Sequence, residues 1–176
     1  LVLEAPWGQR LVFPLQRVIS IEVQSDRLVY VSDLTPTEQT SAGVIHRPWP
    51  IRQDASVTAE PISLGGRVYR KGLGVHARTE LTYDIDGRYE TFAAVIGVDD
   101  HVRPRGSVTF QIVGDGKTLY QSDVLTGTSD PLPVIVTVTG VKKLTLIVDY
   151  ADGLDIADQA DWADARLIRP TRGEQR

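Results

Sequence analysis

From residue 79 onward, short apolar stretches recur at roughly ten-residue spacing with turn signals between them, and little besides an all-β fold satisfies that pattern. Thr79–Ile85 alternates, with Leu81, Tyr83 and Ile85 on one face. Asp86-Gly87 marks a turn before Thr91–Val98, whose apolar residues fall on both faces as in a buried strand. Ser107–Val113 puts Val108, Phe110 and Ile112 on one face, and Gly114-Asp115-Gly116 turns the chain back into Thr118–Gln121. Val134–Val138, Leu144–Val148 and Ala163–Ile168 complete the series. Upstream, Leu11–Phe13, Val18–Val23, Leu28–Val31 and Ile62–Leu64 read as further strands. Pro36, Pro48, Pro50 and Pro61 make residues 33–66 loop-rich, with one helical turn expected at the capping box Thr35-Pro36-Thr37-Glu38. The expected fold is a β-sandwich or barrel.

At 176 residues the chain is one domain with room for a full core. Residues 1–27 read as an arm or as part of a neighbouring region, 28–170 as the sandwich, and 171–176 as a polar tail. A net charge of -4 argues against a nucleic-acid surface. No apolar run is long enough to span a membrane. The absence of cysteine removes thiolate chemistry and cysteine-based zinc sites, and His46, His76 and His101 form no metal-ligand spacing. The absence of methionine marks the sequence as a fragment or processed product. No nucleophile elbow or phosphate loop occurs. With 16 Asp and 7 Glu, a carboxylate pair at glycosidase spacing arises by chance and carries no information. No enzyme is expected.

One stretch stands out. From Asp149 to Asp164 an aspartate recurs every third residue, with no Lys or Arg before Arg166. Calcium takes six to eight oxygens from carboxylates and carbonyls on a loop that can wrap it. Asp152, Asp155 and Asp158 around Gly153 could supply them, although the spacing is not that of an EF-hand. A solvated acidic turn is the competing reading.

Trp162 ends this stretch. If Ala163, Ala165 and Leu167 face the core, strand alternation turns Trp162 outward beside carboxylates, an arrangement suited to stacking on a sugar ring. The alternative is a tryptophan that plugs the sandwich. His76, after two glycines, and Asp99-Asp100, at the end of a buried strand, are candidate rim residues, each also readable as structural.

Tyr69–Ala77, Thr82–Asp84, Phe92–Asp100, Gly106–Phe110, Asp115-Gly116 and Asp158–Ala165 occur in an order that resembles the NPCBM domain, also classed as carbohydrate-binding module family 51. The resemblance runs from about Tyr30 to Ile168. It implies a galactose-binding-like jelly-roll β-sandwich, often with a structural calcium, that binds galactose-type glycans on loops at one end. Such modules are usually appended to glycoside hydrolases, so an extracytoplasmic location and contact with the rest of a parent protein follow. His76, Asp99, Asp100, Asp161 and Trp162 fall in matching motifs. Gln159 stands where the family often has histidine; it can bond hydroxyls but cannot titrate. The expected ligand set is therefore His76, Asp99, Asp100, Gln159, Asp161 and Trp162. The rival expectation is a structural or protein-interaction module that keeps the sandwich without a sugar site.

Overall fold

A computed structural model describes residues 2–4, 8–12, 14, 16, 25, 27–42, 48–151 and 156–171. The expected strand at Val18–Val23 lies outside the described residues. The strands are β1 (Val2–Glu4), β2 (Arg10–Val12), β3 (Leu28–Tyr30), β4 (Glu38–Ser41), β5 (Arg52–Gln53), β6 (Ile62–Leu64), β7 (Arg67–Tyr69) and β8 (Gly72–His76). They continue as β9 (Thr79–Asp84), β10 (Thr91–Val98), β11 (Ser107–Gly114), β12 (Lys117–Gln121), β13 (Leu125–Thr126), β14 (Leu132–Thr137), β15 (Lys143–Tyr150) and β16 (Gln159–Ile168). No α-helix occurs among the described residues. The capping box forms no helical turn: Thr37 donates to the Thr82 carbonyl and leads into β4, and the 3₁₀ turn comes earlier, at Val31–Asp33.

Two antiparallel sheets make the sandwich. One runs β14-β10-β16-β8-β5 with β3 also on β16, and the other β12-β11-β15-β9-β4 with β13 also on β11. The alternating faces read from sequence close the core: Leu81, Tyr83, Ile85, Val108, Phe110 and Ile112 from the second sheet meet Phe92, Ile96, Trp162 and Leu167 from the first. Gly72–His76, expected as a rim segment before a strand, is itself a fully buried strand between β16 and β5. Its glycines are required by close approach. A Cβ at Gly74 would lie 2.3 Å from the Ala55 carbonyl oxygen, and one at Gly72 would lie 2.6 Å from that of Trp162.

The outer face of the first sheet is covered as well. The β6–β7 hairpin lays Ile62 and Leu64 on Ala163 in a small second apolar cluster. Asp100 fastens that hairpin. Its carboxylate accepts from Ser63 Oγ at 2.7 Å, Gly65 N at 2.9 Å and Gly66 N at 2.8 Å, and pairs with Arg103 at 3.3 Å. A second fastening lies at the far end of β8. The Lys71 ammonium bridges Asp33 and Asp54, both at 2.6 Å, and Asp54 also accepts from Gly72 N. Burial would raise the Asp54 carboxyl, but these bonds, led by that of Lys71, hold it below its ordinary range.

Asp100 behaves alike: burial pushes its carboxyl up, and the donors of Ser63, Gly66, Gly65 and Arg103 outweigh that and bring it below the usual value. A lowered folded-state pKa contributes stability that is present above the unfolded value, about 3.9, and lost as pH falls through the folded one. Asp100→Asn is therefore expected to cost about 2 kcal/mol in urea unfolding at pH 7. The gap to wild type should close at acid pH, below about 4.

Candidate functional site

Strand ends gather at one end of the sandwich: among the described residues β4, β8, β10, β13 and β15 finish there, and β9, β11 and β16 begin. Three of the expected ligand residues come together on the outer face at this end. His76 pairs in register with Gln159, and Asp99 N donates to the Gln159 carbonyl at 3.0 Å, so His76, Gln159 and Asp99 form a row across β8, β16 and the end of β10. One pair further in, Asp161 lies between Gly74 and Gly97.

His76 is buried, its Nδ1 donates to the Ala77 carbonyl at 2.8 Å, and its ring stacks on Trp49 with centroids 4.5 Å apart and planes 7° from parallel. Trp49 remains 39% exposed. Sequence reasoning missed this tryptophan. The signal was present in Pro48-Trp49-Pro50: prolines on both sides bar the ring from a strand interior and leave it on a loop. Arg78 stands at the same end, paired to Glu80 at 2.8 Å and to Asp149 at 3.8 Å.

The remaining expectations are corrected. Trp162 is 1% exposed and packs edge-on against Phe110 and Phe92, at centroid distances of 5.0 and 6.1 Å. It is a core residue with no face for a ligand. The alternation argument failed because β16 carries a β-bulge. Ala93 pairs with Arg166 and Val95 with Ala163, so two residues of β10 span three of β16, and Asp164 takes up the extra step at φ 53°. Trp162, Ala165 and Leu167 can then all face inward. Asp100 binds the hairpin as described, its carboxylate taken up by Ser63, Gly65, Gly66 and Arg103.

Asp99 and Asp161 are both 0% exposed, out of reach of a sugar in solution. Asp99 Oδ1 accepts from His101 N at 2.8 Å and meets His101 Nδ1 at 2.5 Å. Burial, then the facing Asp99, and more weakly Asp100 push the Asp161 carboxyl well above the usual range.

The described aspartates of the stretch, Asp149, Asp158, Asp161 and Asp164, do not form one device. Asp149 is the penultimate residue of β15 and accepts from Tyr150 N, and Asp164 pairs with Arg166 at the bulge. Asp152 and Asp155 lie outside the described residues. Of the three expected cation ligands only Asp158 is described; it is buried, its Oδ1 accepts from Ser107 N at 2.7 Å, and its carbonyl accepts from Ala77 N at 3.0 Å. Asp158 thus ties three loops together. Among the described residues no three acidic or histidine side chains converge on one point.

A family model described as the NPCBM/NEW2 domain matches residues 27–168. The chain is similar to a solved structure of a CBM51 from Clostridium perfringens GH95 in complex with methyl-galactose, at 28% identity and a TM-score of 0.73, covering 80% of this chain and 99% of that one. It is also similar to the CBM51-2 and INT domains of Clostridium perfringens ZmpB in complex with GlcNAc, at 29% identity and a TM-score of 0.74, covering 82% of this chain and 32% of that one. Among curated proteins it is 29% identical over 165 residues to one from Renibacterium salmoninarum named as a candidate endo-alpha-N-acetylgalactosaminidase, and it spans 93% of this chain but 11% of that protein. A second, from Akkermansia muciniphila, is named alpha-1,3-galactosidase B, and the match spans 15% of its length. With four-fifths of its sequence matched and the sandwich in place, the chain belongs to the NPCBM/NEW2 domain family.

Proposed function

We propose that the chain is a non-catalytic carbohydrate-binding module for galactose-type glycans, and that the sugar stacks on Trp49. One observation carries this reading: an indole that is 39% exposed, held flat by a buried imidazole, at the end of the sandwich where the loops gather. A pyranose presents an apolar C–H face to such a ring and hydroxyls around it. The backing by His76 fixes the platform before the ligand arrives, which lowers the ordering cost of binding. Gln159 beside it is half-buried with its Oε1 enclosed, and its amide nitrogen is a donor for a hydroxyl. The solved relative that holds methyl-galactose supports the substrate class. The reading further implies an extracytoplasmic location and attachment to a glycan-processing protein, in line with the names of the curated relatives.

Two substitutions separate binding from folding. Calorimetric titration with methyl-galactoside is expected to show one site, weakened at least tenfold by Trp49→Ala, about 1.4 kcal/mol, with the melting temperature little changed. Trp162→Ala should instead cost about 3–5 kcal/mol of stability in urea unfolding. If neither galactosides nor GlcNAc bind the folded wild type, the sugar reading fails and a protein-interaction module takes its place.

A further inference from the structure

At the opposite end of the row from Trp49 stands an exposed side chain that neither the expected ligand set nor the stacking platform includes. β10 ends at Val98, Asp99 follows, and a 3₁₀ turn runs from Asp100 to Val102. Asp99 caps that turn: its Oδ1 accepts from His101 N at 2.8 Å. The His101 ring then folds back, and its Nδ1 comes within 2.5 Å of the same oxygen. The Asp99 side chain is 1% exposed and that of His101 40%.

An oxygen that already accepts from a main-chain N–H is an acceptor toward the ring as well, so Nδ1 carries the ring proton. In the neutral imidazole the other nitrogen, Nε2, is then a bare acceptor on the side of the ring away from Asp99. The ring makes no further bond among the described residues. Capping the turn needs only the main-chain N–H. Committing a buried carboxylate to the ring as well fixes its tautomer and its direction, as carboxylates do for imidazoles that hold ligands. The neighbours fit that role. Asp99 N bonds the Gln159 carbonyl and Gln159 pairs with His76, so Asp99 and His76 stand two strand spacings apart, roughly 10 Å, with Gln159 between them. One hexose on Trp49 does not cover that row, whereas a second sugar joined to it does. Gln159 has its Oε1 enclosed and so offers a donor, and His101 Nε2 offers an acceptor. A sugar hydroxyl both accepts and donates, and the row supplies a partner for each.

We propose that His101, held by Asp99, forms a second sugar subsite that accepts a hydroxyl from the residue joined to the galactose, so that the module reads at least a disaccharide. This rests on the galactose reading of Trp49. Asp99 is a positioning residue here: it is buried and acts on the sugar only through the imidazole it orients.

The test compares methyl-galactoside with lactose, N-acetyllactosamine and an alpha-linked digalactoside by calorimetric titration of the whole chain. At least one disaccharide should bind about fivefold more tightly than methyl-galactoside, the worth of one added hydrogen bond. His101→Asn keeps a donor amide where Nδ1 stands but has no acceptor where Nε2 stands. It should bring that disaccharide down to the affinity of methyl-galactoside without lowering the melting temperature. His101→Gln places an amide near the Nε2 position and should restore part of the advantage. Nitrogen NMR of the histidine rings in the unaltered chain, at mildly alkaline pH, gives a readout free of any variant. Nδ1 of His101 should carry the proton, and the Nε2 resonance should move with the disaccharide but not with methyl-galactoside. A proton on Nε2 in the folded chain overturns the proposal. So does a disaccharide advantage that survives in His101→Asn, or methyl-galactoside binding with no disaccharide bound better. A chain that binds no sugar at all refutes the galactose reading itself, and the subsite with it.

Discussion

The extra residue in β16 is the constraint on which the rest of this structure depends. Without the bulge, strict alternation would set Trp162 and Leu167 on opposite faces. With it, the strand buries Trp162, Ala165 and Leu167 in one core and still presents Ala163 and Asp164 outward in succession. Asp164 is one of the few residue types besides glycine that enters the left-handed region at modest cost, and its pairing with Arg166 holds the kink. Because β16 lies between β10 and β8 and also pairs with β3, its register decides what both neighbours show on each face.

The outer layer follows from that register. Once Asp161 and Ala163 face outward at the centre of the sheet, they must be covered, and the glycines of β8 allow it. Gly72 and Gly74 let the main chain of residues 55–56 and the side chain of Ile62 descend to the strand itself. Asp100 then draws the β6–β7 turn down with two main-chain donors and one hydroxyl. Ionic groups here serve packing: Asp100 and Lys71 fix loops whose few apolar contacts would hold them weakly.

Much of the fold was legible because period-two patterning is local. Leu81, Tyr83 and Ile85, and Val108, Phe110 and Ile112, point inward as read. What failed was nonlocal. A glycine-rich buried strand looks like a loop until the segment that crosses it is known. The period of three in Asp149–Asp164 looked like one device, but strands repeat every two residues, so regular spacing in sequence scatters the described carboxylates, Asp149, Asp158, Asp161 and Asp164, among a strand end, a loop staple, a buried site and a bulge. Trp162 was singled out because it adjoins carboxylates along the chain. Trp49 was passed over because its partner, His76, is 27 positions away and meets it only in the folded sandwich.

The same geometry explains why a motif-rich strand contributes so little exposed chemistry. In Asp158–Ala165 the side chains of Asp158, Asp161 and Trp162 are all buried, so a pattern of this kind records what the sandwich needs in order to close. On the proposed reading, ligand contact falls to Trp49, on a long connection, whose ring rests on that of His76. On that reading, sequence likeness in this strand reports the scaffold, and the proposed specificity lies in the ring over His76.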